Sequence, residues 1–349
     1  MNRLLKGVRD NRLTSFMVLF IGLFYAFAMV LGIIEKNSSG ALKNEKKETI
    51  LSTKDIRDKE TLFKKNIQGH TGFIVIMTLL FFIVLFCGIF ADAYLFGRWL
   101  KGAPLVSGGI PHEAVAWGLK EVCQVFVFLI FIETVILVFE YVIGFFFDPQ
   151  NIEEYFILML NSFVRDLAAA GFVITLVSRR FRCKLATIGL TAKNLFKNIQ
   201  IGLFGYLAII PAIPIVLFVL SYAAHKFSYE PPVQEVVQVY LREKGSGALL
   251  FFTFFVAILG PVVEEIFFRG FTYKVFRQKF GVRWALVISS AIFAGLHMSP
   301  IAFLPIFLLG FFLATLYERT GSLVPSMTVH MLHNLIMVSM TLVFKRFAG

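Results

Sequence analysis

Charge is scarce in this chain, and cysteine scarcer. Only 16% of its 349 residues are Asp, Glu, Lys or Arg, and only three are cysteine. Cys87, Cys123 and Cys183 form no CxxC pair. The first two fall in or beside apolar runs and the third in a basic loop, which points to neither a disulfide framework nor a zinc knuckle. No HExxH, GxSxG, Walker A or Rossmann fingerprint occurs anywhere, so the signatures of zincins, α/β-hydrolases, P-loop and dinucleotide-binding enzymes are all missing. Sequence repeats and low-complexity tracts are absent as well.

What is present is grease. Hydrophobic residues make up 58%, mean hydropathy is +0.77, and there are 42 Phe and 10 Met. Charge is confined to short patches separated by apolar runs of roughly 20 residues, long enough to cross a bilayer as helices. The expected fold is therefore all-α, a polytopic transmembrane helix bundle of about eight to nine helices. The helices are apolar all round, so periodicity says little about which faces meet. The net charge of +12 does not indicate nucleic acid. Its basic residues sit beside apolar spans, as orientation signals do, and the expected surroundings are membrane lipid.

The N-terminal region, residues 1–34, carries Arg3, Lys6, Arg9 and Arg12 ahead of an apolar run from about Leu13 to Ile34. That run is too long for a signal-peptide core and reads as a retained helix with a cytoplasmic N-terminus. Residues 35–72 form a polar loop with nine Lys/Arg and six Asp/Glu. It reads as a short exposed helix or a disordered segment, without chemistry of its own. Residues 73–198 hold helices two to four and a basic loop: spans at about Phe73–Phe96, Glu121–Phe147 and Phe156–Ser178, then RRFRCK reaching Lys197. Between the first two lies GAPLVSGGIP with Arg98, Lys101 and Lys120, and the third span ends at Asp148-Pro149 with Glu153 and Glu154. The alternation of basic with acidic or neutral loops fits alternating sides of a membrane. Residues 199–349 hold the rest. Helix five, about Ile199–Ala224, is kinked by Pro211 and Pro214. A loop containing Pro231-Pro232 follows, helix six begins near Gly247, and helix seven ends near His297. Helices eight and nine occupy about Ala302–Tyr317 and Pro325–Phe344.

Ionisable residues inside such helices are costly and demand an explanation. Glu264 and Glu265 are adjacent, about 100° apart around a helix. Glu265 and Arg269 stand at i and i+4 and suit an ion pair, which leaves Glu264 on another face as a candidate general base. The blander reading has both carboxylates pairing with Arg269 and Lys274 at the membrane interface. His297 ends the run LVISSAIFAGLH, and Ser299-Pro300 closes its helix. Phe293, one turn earlier, reads as packing, and His297 taken alone reads as hydrogen-bonded locally. His330 and Asn334, again i and i+4, present an imidazole and an amide on one face, fit for an oxyanion or for interhelical bonding, while His333 faces elsewhere. Together Glu, His, His and Asn on three different apolar helices are the equipment for amide hydrolysis. Elsewhere, Glu133 and Glu140 with Arg165 and Asp166 suggest interhelical pairing, His70, His112 and His225 suggest solvated positions, and Asp92 can snorkel to the interface.

EExxxR (Glu264, Glu265, Arg269), FxxxH (Phe293, His297) and HxxxN (His330, Asn334), in that order on separate hydrophobic segments, resemble the CPBP family of intramembrane proteases. That family includes the type II CAAX prenyl endopeptidases and the bacteriocin-processing and immunity proteins. The resemblance is densest over residues 247–340, where FFRG and TGSLVPS also match. It implies roughly eight helices around an intramembrane polar site, in which Glu264 with His297 activates water and His330 with Asn334 forms the oxyanion site. Glu265 and Arg269 then hold the helix that carries Glu264. The family has been described both as metal-independent glutamate proteases and as metalloproteases. The glutamate mechanism, with no cofactor, is the reading adopted here; zinc on Glu264, His297 and His330 is the alternative. Expected partners are lipid and a peptide or protein substrate, lipidated ones included. Short basic loops of bacterial type suggest a bacterial inner membrane. The rivals are a non-enzymatic scaffold or immunity factor, and an ion pathway that helices six to nine are too apolar to line.

Overall fold

The computed structural model describes residues 12–29, 53–101, 109–110, 114–146, 154–229 and 233–348. Several readings therefore lie outside the described residues: Arg3, Lys6 and Arg9, the end of the first span, residues 35–52 of the polar loop, most of GAPLVSGGIP, His112, Asp148-Pro149 with Glu153, and Pro231-Pro232. Among the described residues there is no strand. The helices are α1 (Arg12–Met29), α2 (Thr53–Gln68), α3 (Thr71–Leu100), α4 (Leu119–Phe146), α5 (Glu154–Thr175), α6 (Leu195–Ile209) and α7 (Ala212–Lys226). They continue as α8 (Glu235–Arg242), α9 (Ser246–Phe254), α10 (Gly260–Glu265), α11 (Lys274–Gly295), α12 (Pro300–Thr320) and α13 (Leu323–Ala348). Among the described residues eight stretches are long and apolar enough to cross a membrane, and the chain is an integral, multi-pass membrane protein.

One of those stretches, Ser246–Gly295, is 50 residues long. A straight helix of that length would reach about 75 Å, more than twice the ~30 Å hydrocarbon core. The break comes inside α11, where Gly281 adopts φ 77°, ψ 170°, a conformation open to glycine and little else. The two legs on either side correspond to the expected helices six and seven. A second break separates α6 from α7 at Ile210 and Pro211, where proline removes a helical donor. Both residues keep right-handed helical backbone, and Leu195–Lys226 remains one span interrupted at Pro211, in keeping with the kink expected of helix five.

The chain divides into two compact units, Met1–Ile50 with Trp117–Leu176, and Leu51–Ala116 with Val177–Gly349. In the first, Phe16 and Phe20 of α1 pack on Phe131 of α4, with ring centroids 6.2 and 5.3 Å apart. Phe128 of α4 stacks on Phe172 of α5 at 4.3 Å. Polar pairs join the same two helices: Arg165 Nη1 lies 3.5 Å from Glu133 Oε2, and Asn161 Nδ2 donates to Glu140 Oε1 at 2.5 Å.

In the second unit Tyr206, Leu309, Leu313, Leu316 and Val329 form a buried core between α6, α12 and α13. Lipid offers no hydrophobic drive for helices to associate, so close packing must supply it. Helix α3, by contrast, leaves most of its apolar surface outward, with Phe90 72% exposed, as a lipid-facing helix does. At one end of the unit the short turn Leu185–Ile188 receives Tyr317 Oη on the Ile188 carbonyl (3.0 Å) and Lys274 Nζ on that of Thr187. Arg277 Nε forks onto both Glu318 oxygens, at 3.1 and 2.9 Å, and Tyr273 Oη donates to the same carboxylate. At the other end α2 packs on the tail of α13. Phe63 meets Phe344 at 5.1 Å, and Asn66 Nδ2 donates to the Phe347 carbonyl at 2.9 Å. The second half of the polar loop is therefore a docked helix, and His70 lies edge-on to Phe347 at 5.1 Å.

Candidate active site

The Glu pair sits on a helix that is α-helical only in part. The six residues of α10 lie between two π-helical segments, Phe255–Leu259 and Ile266–Tyr273. A π segment offsets the backbone ladder by one residue, and such irregularities recur at functional sites. Here the offset has a visible use. The Val256 carbonyl, in the first segment, accepts Asn334 Nδ2 from α13 at 2.9 Å.

Glu265 and Arg269 form the expected i, i+4 pair, Arg269 Nη1 to Glu265 Oε1 at 2.8 Å, with side chains 0% and 2% exposed. Burying two charges is favourable only when their remaining hydrogen-bonding capacity is met. For Arg269 much of it is: Nη2 donates to the Gly310 carbonyl of α12 at 3.1 Å, and the guanidinium lies over the Phe293 ring, 4.4 Å from its centroid. A stacked guanidinium over an aromatic face adds a favourable cation–π contact. Gly310 permits this close approach. A Cβ there would stand 3.0 Å from Phe293 Cδ1 and 3.4 Å from Arg269 Nη2.

Glu265 Oε1 also meets His330 Nδ1 at 3.2 Å. The opposite ring nitrogen, Nε2, lies 3.7 Å from Glu264 Oε2. Neither Glu264 Oε2 nor Glu265 Oε2 has a hydrogen-bond partner, although both atoms are buried. A buried carboxylate oxygen without a donor is costly, and active sites are where such costs are tolerated. The Glu264 side chain as a whole remains 31% exposed, so this carboxylate is open on one side.

His297 is placed differently. Its Nδ1 bonds to the Phe293 carbonyl at 2.8 Å, one turn back in its own helix, which is the local hydrogen bond expected of a histidine taken alone. Nothing joins it to Glu264 by hydrogen bond or ion pair. The Phe293 ring touches both histidines, with centroid distances of 5.0 Å to His297 and 5.8 Å to His330. Ser299 caps α12 by accepting from Ala302 N at 3.4 Å, with Pro300 in its first turn. The structure thus brings together Glu264, Glu265, Arg269 and His330, sets His297 against the Phe293 ring, and ties Asn334 to the Val256 carbonyl.

Zinc would require Glu264, His297 and His330 to converge. Among the described residues no group of three or more His, Cys, Asp or Glu side chains is arranged to hold a metal ion. The present placement does not fit that triad, and no step below passes through a metal.

Phe293 packs, as expected, and its ring touches both histidines and Arg269. Two participants escaped sequence reasoning: Gly310 as the seat of Arg269, for which a glycine in the apolar run LLGFFLA was the only available sign, and the Val256 carbonyl, which nothing in a sequence marks.

Residues 246–336 match the family model described as Type II CAAX prenyl endopeptidase Rce1-like. The matched segment contains Glu264, Glu265, Arg269, Phe293, His297, His330 and Asn334, and it supports the resemblance read from the motifs. It also supports a protease. No curated protein and no solved structure matches the chain.

Proposed function

We propose that this Rce1-like segment is an intramembrane endopeptidase in which Glu264 is the base that activates water. One observation carries the assignment. Glu264 is the carboxylate of the pair that makes no ion pair with Arg269, and its side chain stays 31% exposed, with His330 Nε2 at 3.7 Å, where that of Glu265 is 0% exposed. Glu265 is spoken for by Arg269 and His330. A water bonded to Glu264 Oε2 would lose its proton to that oxygen as it attacks a peptide carbonyl. The resulting oxyanion needs N–H donors. Asn334 Nδ2 gives one hydrogen to Val256 and retains a second for it, while His297, whose Nδ1–H donates to the Phe293 carbonyl, presents Nε2 as an acceptor suited to hold the water with Glu264.

The substrate class is a peptide or protein segment presented at or within the bilayer, with lipidated segments included. The membrane orientation that fits is a cytoplasmic N-terminus in a bacterial inner membrane. The turns around Thr187, Lys274, Arg277 and Glu318 are tied to one another and gather Arg179, Arg180, Arg182, Lys184, Lys279, Arg283 and Arg319 nearby in sequence. That basic end suits the cytoplasmic face, and the end holding α2 and the tail of α13 suits the opposite one.

The test is cleavage of a prenyl-cysteine peptide by the purified protein, with and without chelator. The wild type should cut, chelator should leave the rate unchanged, and Glu264→Gln should lower kcat on the order of 10³-fold. Glu264→Gln should melt within a few degrees of the wild type, since no ion pair is lost to leave a buried charge exposed. Undiminished cleavage by Glu264→Gln would overturn the base. A wild type that binds membrane peptides without ever producing a cut product would leave the scaffold or immunity reading in its place.

A further inference from the structure

We infer that the basic end of the second unit is a docking surface for anionic phospholipid of the phosphatidylglycerol type. Cations fixed around the turn Leu185–Ile188, the Gly281 break and the end of α12 hold lipid phosphates, and exposed rings beside them lie among the headgroups. This rests on the membrane-spanning fold and not on the peptidase reading.

Charge at this end is one-sided. Residues 177–229 and 266–349 hold a single acidic residue between them, Glu318. Its carboxylate already accepts from Arg277 Nε and Tyr273 Oη. Arg182, Lys184, Lys197, Lys279, Arg283 and Arg319 are all exposed, and none of their side chains forms an ion pair with a described residue. The helix α2, at the opposite end, mixes its signs, with Asp55, Asp58 and Glu60 among its Lys and Arg. Cations gathered without counter-ions repel one another, and an anionic surface relieves that repulsion.

These cations are held in place. The Thr187 carbonyl accepts Lys274 Nζ, that of Ile188 accepts Tyr317 Oη at 3.0 Å, and Leu323 N donates to the Gly189 carbonyl at 3.0 Å. Arg182 and Lys184 lead into that turn, and Lys197 stands in the first turn of α6, which follows it. Arg277 fastens α11 to Glu318, so Lys279 and Arg283, on either side of Gly281, come to the same end as Arg319. Setting the orientation of a chain needs only cations in a loop. A tied turn beside a tied helix break presents them together as one surface.

The aromatic rings decide between a lipid and a soluble acidic partner. Phe196, beside Lys197, is 81% exposed; Trp284, beside Arg283, is 63% exposed; Phe280, beside Lys279, is 41% exposed. Each stands where a span enters the bilayer. Phe196 lies at the start of Leu195–Lys226, and Phe280 and Trp284 flank the break from which the second leg of Ser246–Gly295 departs. A set of rings exposed to water is a liability, whereas aromatic rings at headgroup level are well placed. Lys and Arg, with apolar stems and charged tips, suit the same depth.

The test is quenching of tryptophan fluorescence in the purified full chain, reconstituted in phosphatidylcholine vesicles doped with lipid brominated high on its acyl chain. The chain has three tryptophans, and the Trp284 signal is the difference between wild type and Trp284→Phe. Brominated phosphatidylglycerol should quench Trp284 with an apparent affinity on the order of tenfold above that of brominated phosphatidylcholine. Lys279→Gln with Arg283→Gln should remove most of that preference, and about 0.5 M salt should weaken it. Lys64→Gln with Lys65→Gln, exposed on α2, should leave it unchanged. All four side chains are exposed, so both double variants should melt with the wild type. Equal quenching by the two lipids overturns the inference, and so does a preference that survives the loss of Lys279 and Arg283. Equal quenching together with salt-sensitive binding of polyglutamate overturns it in favour of an acidic protein segment. Lipid preference without any cleaved peptide defeats the peptidase reading alone, and cleavage without lipid preference defeats this inference alone.

Discussion

Each unit of this chain carries an ion pair within its apolar helices, and the two are built differently. In the first, Arg165 Nη1 lies 3.5 Å from Glu133 Oε2, with side chains 37% and 41% exposed. In the second, Arg269 and Glu265 meet at 2.8 Å and are 2% and 0% exposed. The looser pair joins α4 to α5 and is bordered by Asp166, 3.4 Å from Arg165 Nε. The tighter pair lies within one helix and draws in three others through Gly310, Phe293 and His330. Only the tighter one falls inside the Rce1-like match. An intramembrane charge is thus not evidence of a site by itself. What distinguishes a site is a second, partly exposed carboxylate beside a fully buried one that holds both a guanidinium and an imidazole.

The largest effect should come from breaking the committed pair. Arg269→Ala leaves the Glu265 carboxylate fully buried without its counter-ion, at a cost of about 3–5 kcal/mol. Thermal unfolding in detergent should show it as a large loss of melting temperature or as failure to accumulate folded protein. An Arg269→Ala protein as stable as the wild type would mean that the pair is not the anchor described here. A smaller effect is expected at the seat. Gly310→Ala places a methyl 3.0 Å from Phe293 Cδ1 and 3.4 Å from Arg269 Nη2. Overpacking of that kind costs about 1–3 kcal/mol. Because the Phe293 ring also touches both histidines, peptide cleavage should fall more than stability does. Equal activity in Gly310→Ala and wild type would remove Phe293 from the site's support.

How much of this was legible beforehand divides along the same line. The i, i+4 spacing of Glu265 and Arg269 was enough to foresee their pair, because helical geometry fixes it locally. At His330 and Asn334 the same spacing left the partners open: His330 lies beside the two glutamates, and Asn334 bonds the Val256 carbonyl. That carbonyl sits in a π-helical segment, and a one-residue offset of the ladder leaves no mark in residue order or composition. The packing of one Phe293 ring against both histidines was hidden for another reason. With helices apolar all round, nothing told which neighbour Phe293 would face. Breaks fared better. Pro211 and the Ser299-Pro300 cap act through local backbone chemistry that the sequence states outright. The docking of Thr53–Gln68 on the tail of α13 is a tertiary contact that charge content alone did not suggest.

The smallest effect is the one that most sharply tests the comparison. Arg165→Ala removes a contact of 3.5 Å between half-exposed side chains, whereas Asn161 still bonds Glu140 at 2.5 Å across the same two helices. Loose, partly exposed pairs contribute about 0–1 kcal/mol. Stability should therefore drop by less than about 1 kcal/mol, and peptide cleavage should stay within about twofold of wild type, since nothing in α4 or α5 supplies a group to the chemistry proposed. Measured beside Arg269→Ala in one assay, the two variants should differ by several-fold in unfolding free energy. Equal losses would mean that the α4–α5 pair is as tightly integrated as the α10 pair. Loss of cleavage at full stability in Arg165→Ala would instead make Glu133, whose Oε2 is buried and without a hydrogen bond, a second carboxylate to be brought into the mechanism.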